Sequence, residues 1–335
     1  MGVAPIIIAA YPPNATARQL IEQMRQKQIE INCSSKPLSR FARVQFLRDA
    51  LKRSRADYVF AHTVLPSVFA RFASLGLGLP VATVLHAGSP DYRGVIAFSE
   101  HFTPRANAIV GVTQQNLVWY RERFGDAVPM MMIANGVPVS EFITDDEKRA
   151  NCRAQIFGDI GETVVFVQVG RLVAMKRHDL TLAAFNQLPE EFRRHCLLAI
   201  AGPSEEAQTH QLIIEAAKHN SEIRFLGPVN DMTALYAAAD VVVVPSDYEG
   251  HPVVALEALC AGTRLIASDI PAHQFAKDFS GVTCIRTVDE MAKAMASSSR
   301  ERFRRDATSF DIALTARKYE ALARCSLAAR HSASE

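Results

Sequence analysis

Short, wholly apolar runs alternate along this chain with segments whose apolar residues recur every three or four positions. The first pattern fits strands buried on both faces and the second fits helices packed by one side. In the first half, PIIIAAY, IEINC, RADYVFAHT, LPVATVLHAG, ANAIVGVT and MMMIANGV read as strands. Between them, ARQLIEQMRQKQ, KPLSRFARVQFLRDALKRSR, PSVFARFASLG and QQNLVWYRERFG read as helices. After Asn135-Gly136-Val137-Pro138 and the acidic segment TDDEKRA, which reads as a linker, the rhythm starts afresh. ETVVFVQVG, CLLAIAG, IRFLGPV, DVVVVPS and RLIAS are strands, and RHDLTLAAFNQL, THQLIIEAAKHN, DMTALYAAA and VVALEALCA are helices. From about residue 301 the chain reads as one closing helix, with the residues past Ala328 a loose tail.

Strand-then-helix alternation predicts parallel, Rossmann-like sheets. Two such halves place the chain in the α/β class, as two doubly wound domains facing a cleft. The expected segments are 1–137, 138–305 and a final helix over 306–328. No Gly-x-Gly-x-x-Gly follows any strand, which argues against a dinucleotide cofactor. In doubly wound sheets ligands bind beyond the carboxyl ends of the strands. The stretch from Val241 to Ser268 therefore stands out: a β-branched strand stopped by Pro245, a loop with Asp247, Glu249 and His251, and a helix opened by Pro252 and closed by Gly262. The start of that helix offers unpaired N–H groups that suit a phosphate.

The chain has 335 residues, enough for two domains, and its 49% hydrophobic and 21% charged residues fit a globular enzyme or binding protein. No run reaches the roughly 18 apolar residues of a spanning helix. MGVAPIIIAAYPP lacks a basic leader, so it reads as a first strand, and a cytoplasmic location follows. Cys33, Cys152, Cys196, Cys260, Cys284 and Cys325 show no metal or disulfide spacing and read as buried free thiols. The net charge of +2 conceals a split: residues 1–137 hold 15 Lys and Arg against 8 Asp and Glu, and the remainder holds 22 against 27. Much of the excess lies in residues 36–55, where Lys36, Arg40, Arg43, Arg48, Lys52, Arg53 and Arg55 alternate with apolar residues. This segment fits either a helix at an acidic membrane face or a solvated helix packed on its own sheet. Nothing points to nucleic acid.

Two places carry chemistry. In VGRLVAMKRHD, a strand ends at Gly170, which leaves room for a ligand, and Arg171 and Lys176 follow as one flat bidentate donor and one point charge, a pair suited to a diphosphate. Glu249 in the loop and Glu257 inside the helix are spaced so that they do not share a proton unless the loop folds back. Glu, seven residues, Glu, framed by a buried strand and a second strand, resembles the donor-binding signature of the GT-B glycosyltransferases of family four, with Gly250-His251-Pro252 after the first Glu. Gly-Arg-Leu followed three residues later by Lys176 is similar to the same family. So are RFLGPVNDMTALYAAADVVVVPS and IANGV. The glycine-rich turn usual after the first strand is replaced here by Tyr11 to Thr16.

The resemblance implies a retaining, metal-independent glycosyltransferase that moves a sugar from a nucleotide diphosphate sugar to an acceptor hydroxyl. It implies no cofactor, a UDP-sugar in preference to a GDP-sugar, and a glycan or lipid-linked acceptor, with bacterial surface polysaccharide or lipopolysaccharide as the product class. By it, Arg171 and Lys176 neutralise the leaving diphosphate, Glu249 holds the donor sugar and Glu257 holds the ribose. Gly170, Gly227, Val229, Gly250, His251, Pro252 and Val253 line the donor, and His86 at the end of PVATVLH lies near the transferred sugar. His62 reads as structural, and Asp91 and Arg93 as candidate acceptor contacts. The alternatives are a nucleotide-sugar epimerase or phosphorylase of the same fold, or a non-catalytic sugar-nucleotide-binding scaffold.

Overall fold

The structure is a computed structural model, and it describes residues 4–13, 15–86 and 106–334. The chain separates into two compact units, residues 1–134 with 316–335, and residues 135–315. Asp91 and Arg93 lie outside the described residues.

In the first unit all described strand pairings are parallel, but they form two sheets. β1 (Ile6–Ala9) pairs with β2 (Glu30–Cys33), and β3 (Val59–His62), β4 (Val81–Leu85), β5 (Ala108–Gly111) and β6 (Met130–Met132) follow side by side in a second. The single sheet expected for this half is therefore divided. Among the described residues before the final helix, the helices are α1 (Ala15–Gln26), α2 (Arg40–Ser54), α3 (Val64–Ser74) and α4 (Gln114–Phe124). Every residue of β4 and β5 is buried, which explains their uninterrupted apolar sequence. The basic segment becomes helical only at Arg40, where the Ser39 hydroxyl accepts from the N–H of Ala42. α2 packs on α3 and buries Ala50 and Leu51. Arg48 donates to the carbonyls of Ala73 and Leu75, and Arg43 stacks on Tyr11, so two of its cations serve the fold.

The second unit holds one parallel sheet of six strands in the order β12-β11-β10-β7-β8-β9. These are β7 (Val164–Val169), β8 (Cys196–Ala201), β9 (Ile223–Gly227), β10 (Val241–Val244), β11 (Arg264–Ser268) and β12 (Val282–Ile285). Helices α5 (Val139–Phe142), α6 (Asp146–Phe157), α7 (His178–Asn186), α8 (Glu190–Arg193), α9 (Ala207–His219), α10 (Met232–Ala238), α11 (Val253–Cys260) and α12 (Val288–Ala296) connect and cover them. β10 shows why its valine run is required. Val242 and Val244 enter one core cluster and Val241 and Val243 the other, so both faces of the strand are dry. The strand order reverses between β7 and β10, and at such a switch point the connections leave to opposite faces and open a crevice at the carboxyl ends. The two stretches singled out by sequence are the two loops that leave this point.

Several expectations are corrected. TDDEKRA is the start of a helix, not a linker, because the Asp145 carboxylate accepts from the N–H of Lys148. β12 and α12 were not anticipated. Residues 301–307 form no helix: Arg302 donates to the carbonyls of Ala237, Ala239 and Ala261, and the N–H of Phe303 donates to the carbonyl of Gly262, so this segment is strapped to the unit in extended form. The final helix, α13 (Ile312–Ser334), begins later and runs through the expected tail. From residue 316 it belongs to the first unit, where Tyr319 packs edge-on against Phe60 and Leu322 joins the core. The thiols are free but not all buried, since Cys325 is exposed. No helix among the described residues is long and apolar enough to cross a membrane.

Asn135, Gly136 and Val137 hold firmly to the second unit. The Asn135 amide donates to the carbonyl of His251 at 2.8 Å, and Val137 exchanges backbone hydrogen bonds with Phe310 and Ile312. A Cβ on Gly136 would stand 2.7 Å from the Ile312 Cα, so only glycine fits.

Candidate active site

The site is built from the loops at the switch point. β7 ends at Val169, Gly170 follows, and the chain continues through Arg171 into a tight turn over Ala174–Lys176. β10 ends at Val244, and Pro245 to Pro252 form the second loop. Three contacts fasten the two. The Lys176 ammonium lies 2.5 Å from Glu249 Oε1, Arg177 donates to Asp247 Oδ1 at 2.8 Å, and the Asp247 N–H donates to the Met175 carbonyl at 3.0 Å. Arg177 adopts a left-handed backbone (φ 51°), which the reversal from turn to helix demands.

Glu249 is well enclosed: only 12% of its side chain is exposed, and the Ser246 hydroxyl donates to the same Oε1 at 2.7 Å. Arg171 differs. It is 53% exposed and pairs with Glu205 at 2.7 Å, in the loop after β8. An exposed pair of this kind contributes at most about 1 kcal/mol, so a phosphate can displace Glu205 at little cost. The two cations thus leave the same loop toward different carboxylates.

The glycines after β7, β8 and β9 form a second feature. The Gly202 N–H donates to the Gly227 carbonyl at 2.8 Å, and a Cβ on Gly202 would stand 1.7 Å from the Gly170 carbonyl oxygen. Gly202 itself has φ +147°, where side chains are disfavoured. The space above Gly170 is filled by the Lys176 stem, with carbons at 3.5 to 3.6 Å from a built Cβ. Gly227 turns left-handed (φ +66°) with open space beside it, and Val229 packs partly on the core.

Gly250 and His251 are half-buried, Pro252 is buried and caps α11, and Val253 is exposed in its first turn. No side chain caps that turn. The His251 ring lies against Phe275, ring centroids 4.8 Å apart, with its Nδ1 buried and unpartnered. Burial lowers its pKa to about 4, so the imidazole is neutral at pH 7. Glu257, in the middle of α11, is raised above the ordinary carboxylate range by burial and lies beside the fully buried Tyr236 phenol, which burial raises further and the Glu257 charge next. Glu249 and Glu257 thus have different partners.

In the first unit, His86 directly follows β4 and His62 ends β3, in adjacent strands. His62 Nδ1 and His86 Nε2 are 2.7 Å apart with the rings stacked. Burial, and then the neighbouring His62, lower the His86 pKa to about 4, and burial lowers that of His62. Both rings are neutral at pH 7, one nitrogen donating and the other accepting.

Sequence reasoning missed Ser246, Arg177, Gly202 and the contact of His62 with His86. Ser246 stands three residues before Glu249 at a strand end, and Gly202 ends a strand just as Gly170 does; these were the available signals.

Residues 141–309, just over half of the chain, match the family described as Glycosyl transferases group 1, and residues 1–141 match Glycosyltransferase Family 4. The chain belongs to the group 1 glycosyl transferases. Among curated proteins it is similar to a D-inositol 3-phosphate glycosyltransferase of Geodermatophilus obscurus, 27% identical over 66% of this chain and 49% of the other. The chain spans about half the length of the curated relatives it matches. Among solved structures, Anabaena HepE in complex with UDP and glucose gives a TM-score of 0.78 at 16% identity, covering 96% of this chain and 99% of that one. WaaG, a glycosyltransferase involved in lipopolysaccharide biosynthesis, gives 0.66 at 16% identity, covering 87% and 89%. At that identity the likeness concerns fold, and it is the GT-B fold of two Rossmann-like domains.

Proposed function

We propose that this group 1 glycosyl transferase is a retaining, metal-independent enzyme that transfers a sugar from a nucleotide diphosphate sugar to an acceptor hydroxyl. The observation that carries the reading is the junction of the β7 and β10 loops, which brings Lys176 to Glu249 at a sheet switch point beside an uncapped helix start. Arg171, Lys176 and the first turn of α11 take the diphosphate as its charge develops; such stabilisation is usually the greatest single contribution to catalysis. Glu249 holds hydroxyls of the donor sugar. Glu257 accepts from the ribose, and Gly227 and Val229 meet the base by their backbone. The bond from the anomeric carbon to the phosphate oxygen breaks, the acceptor oxygen bonds on the same face, and its proton passes to the leaving phosphate. His86 acts near the transferred sugar as a neutral imidazole.

UDP is the favoured nucleotide, supported by the complexes of HepE with UDP, glucose and UDP-glucose. The product class, a surface polysaccharide or lipopolysaccharide, is supported by the fold shared with WaaG, and a cytoplasmic location is part of the same proposal. Contact with an acidic membrane is supported by the exposure, on one segment, of Phe41 (79%), Lys36, Arg40, Lys52, Arg53 and Arg55. Co-sedimentation with anionic but not zwitterionic vesicles tests that part.

A screen of UDP-, GDP-, ADP- and CMP-sugars by thermal shift and slow donor hydrolysis tests the whole. The expected result is one UDP-sugar that both stabilises and is hydrolysed, with the effect lost in Arg171→Ala. A UDP-sugar that binds and stabilises but is never hydrolysed or transferred would instead favour the scaffold reading.

A further inference from the structure

Behind Glu249 stands a chain of buried polar groups that no ligand can reach. Ser246, 1% exposed, donates from its hydroxyl to Glu249 Oε1 at 2.7 Å. Its own carbonyl accepts from the Ser268 hydroxyl, at the end of β11, at 2.6 Å. The Ser268 carbonyl lies 2.8 Å from Nδ1 of His273, which is wholly buried in the turn Pro271–Ala276. A carbonyl only accepts, so Nδ1 carries the proton, and burial keeps the ring neutral by lowering its pKa. The chain His273, Ser268, Ser246, Glu249 thus runs in one direction of donation from the interior to the loop.

Glu249 Oε1 receives two donors, Ser246 on one side and Lys176 on the other. A carboxylate held through one oxygen has a fixed plane, and its second oxygen then points in a fixed direction. We infer that Ser246 is the positioning residue of Glu249, that Ser268 and His273 fix the turn carrying Ser246, and that Glu249 Oε2 is the oxygen presented to the donor sugar. This inference rests on the reading of Glu249 as the carboxylate that holds the sugar. It adds the reason why that carboxylate keeps one orientation whether or not Lys176 is engaged by phosphate: when the diphosphate draws Lys176 away, the Ser246 hydroxyl remains.

The test compares Ser246→Ala with Ser246→Thr, which restores the hydroxyl, using UDP and UDP-glucose as probes. Loss of one charge-assisted hydrogen bond should lower kcat for UDP-glucose hydrolysis about tenfold in the alanine variant. UDP affinity should stay within about twofold, because no phosphate contact is touched, and threonine should recover most of the loss. In a Glu249→Ala background, Ser246→Ala should do nothing further. The inference is overturned by an alanine variant with unchanged kcat, by a threonine variant no better than alanine, or by additive effects in the double variant. If Glu249→Ala alone leaves turnover intact, the sugar-holding reading fails instead. A crystal structure of Ser246→Ala with UDP bound, where Lys176 no longer holds the carboxylate, decides the positioning claim: Glu249 turned away supports it, and Glu249 unmoved ends it.

Discussion

The Lys176 ammonium and Glu249 Oε1 stand 2.5 Å apart across two loops that leave the sheet of the second unit at its switch point. The cation proposed for the diphosphate and the carboxylate proposed for the sugar therefore neutralise each other. Their side chains are 17% and 12% exposed, so the pair is partly dehydrated and its attraction is stronger than that of a surface pair. On the proposed function, a diphosphate must compete with Glu249 for Lys176.

Removing that competition should tighten nucleotide binding. Glu249→Gln keeps the shape and an oxygen for Ser246 but gives up the charge. UDP affinity should rise by roughly threefold or more, as expected for release of a partly buried ion pair. Sugar transfer should fall by at least tenfold, because the glutamine cannot supply a charged acceptor. Calorimetry with UDP and turnover with UDP-glucose separate the two, and weaker UDP binding in the variant would refute the competition.

Gly202→Ala tests the seam beneath these loops. The added Cβ would stand 1.7 Å from the Gly170 carbonyl oxygen, in a backbone at φ +147°. Neither neighbour is a flexible side chain, so the strands after β7 and β8 must part. The expected loss is at least ~2 kcal/mol in urea unfolding, together with weaker UDP binding, since Arg171 follows Gly170 directly and the Lys176 stem packs over it.

How much of this was readable before the fold was known depends on distance along the chain. The valine run of β10 was plain because both faces of that strand are buried, and a strand buried twice has no polar residues to confuse the pattern. Glu249 and Lys176 were named from local motifs. The contacts that fix them were not, because Ser246 meets Ser268 through two strands 22 residues apart in sequence. Residues 301–307 misled for the opposite reason. Their composition suits a helix, but the Arg302 guanidinium finds backbone carbonyls left over at the end of α10 and after α11, and tertiary hydrogen bonds override local propensity. The divided sheet of the first unit was hidden because periodicity reports strands and not their partners.

Asp240, just before β10, should be the costliest single residue of the second unit. It is wholly buried, pairs with Arg149 and with Arg153 at 2.9 Å, and accepts from the Val165 N–H at 2.8 Å. Asp240→Ala leaves two guanidinium groups without their counter-charge and a backbone donor unpaired. The expected destabilisation is about 3 to 5 kcal/mol, seen in urea unfolding. A loss under about 1 kcal/mol would show that water replaces the carboxylate.

His62→Gln should move the titration of His86 upward from about 4, since the His62 ring is the second cause of its depression after burial. The shift should stop short of the ordinary 6.5, because burial remains. Histidine proton resonances followed from pH 3 to 8 measure it, and an unmoved His86 would show that the stacked pair is not electrostatically coupled.

Acid stability should depend in part on His251. Its folded-state pKa is lowered to about 4 against an ordinary 6.5, as are those of His86 and His178. Between those two values the unfolded chain binds protons that the folded chain does not, so stability rises with pH there. The contribution is fully present above about pH 6.5 and is lost as pH falls toward 4. His251→Phe removes one of the three groups while preserving a flat ring against Phe275 and discarding an unpartnered buried nitrogen. The variant should match the parent at pH 7 within about 1 kcal/mol and lose less stability on acidification. UDP affinity should also persist, because the ring packs on Phe275 and its Nδ1 is buried. Loss of UDP binding with stability intact would show that the imidazole itself touches the donor.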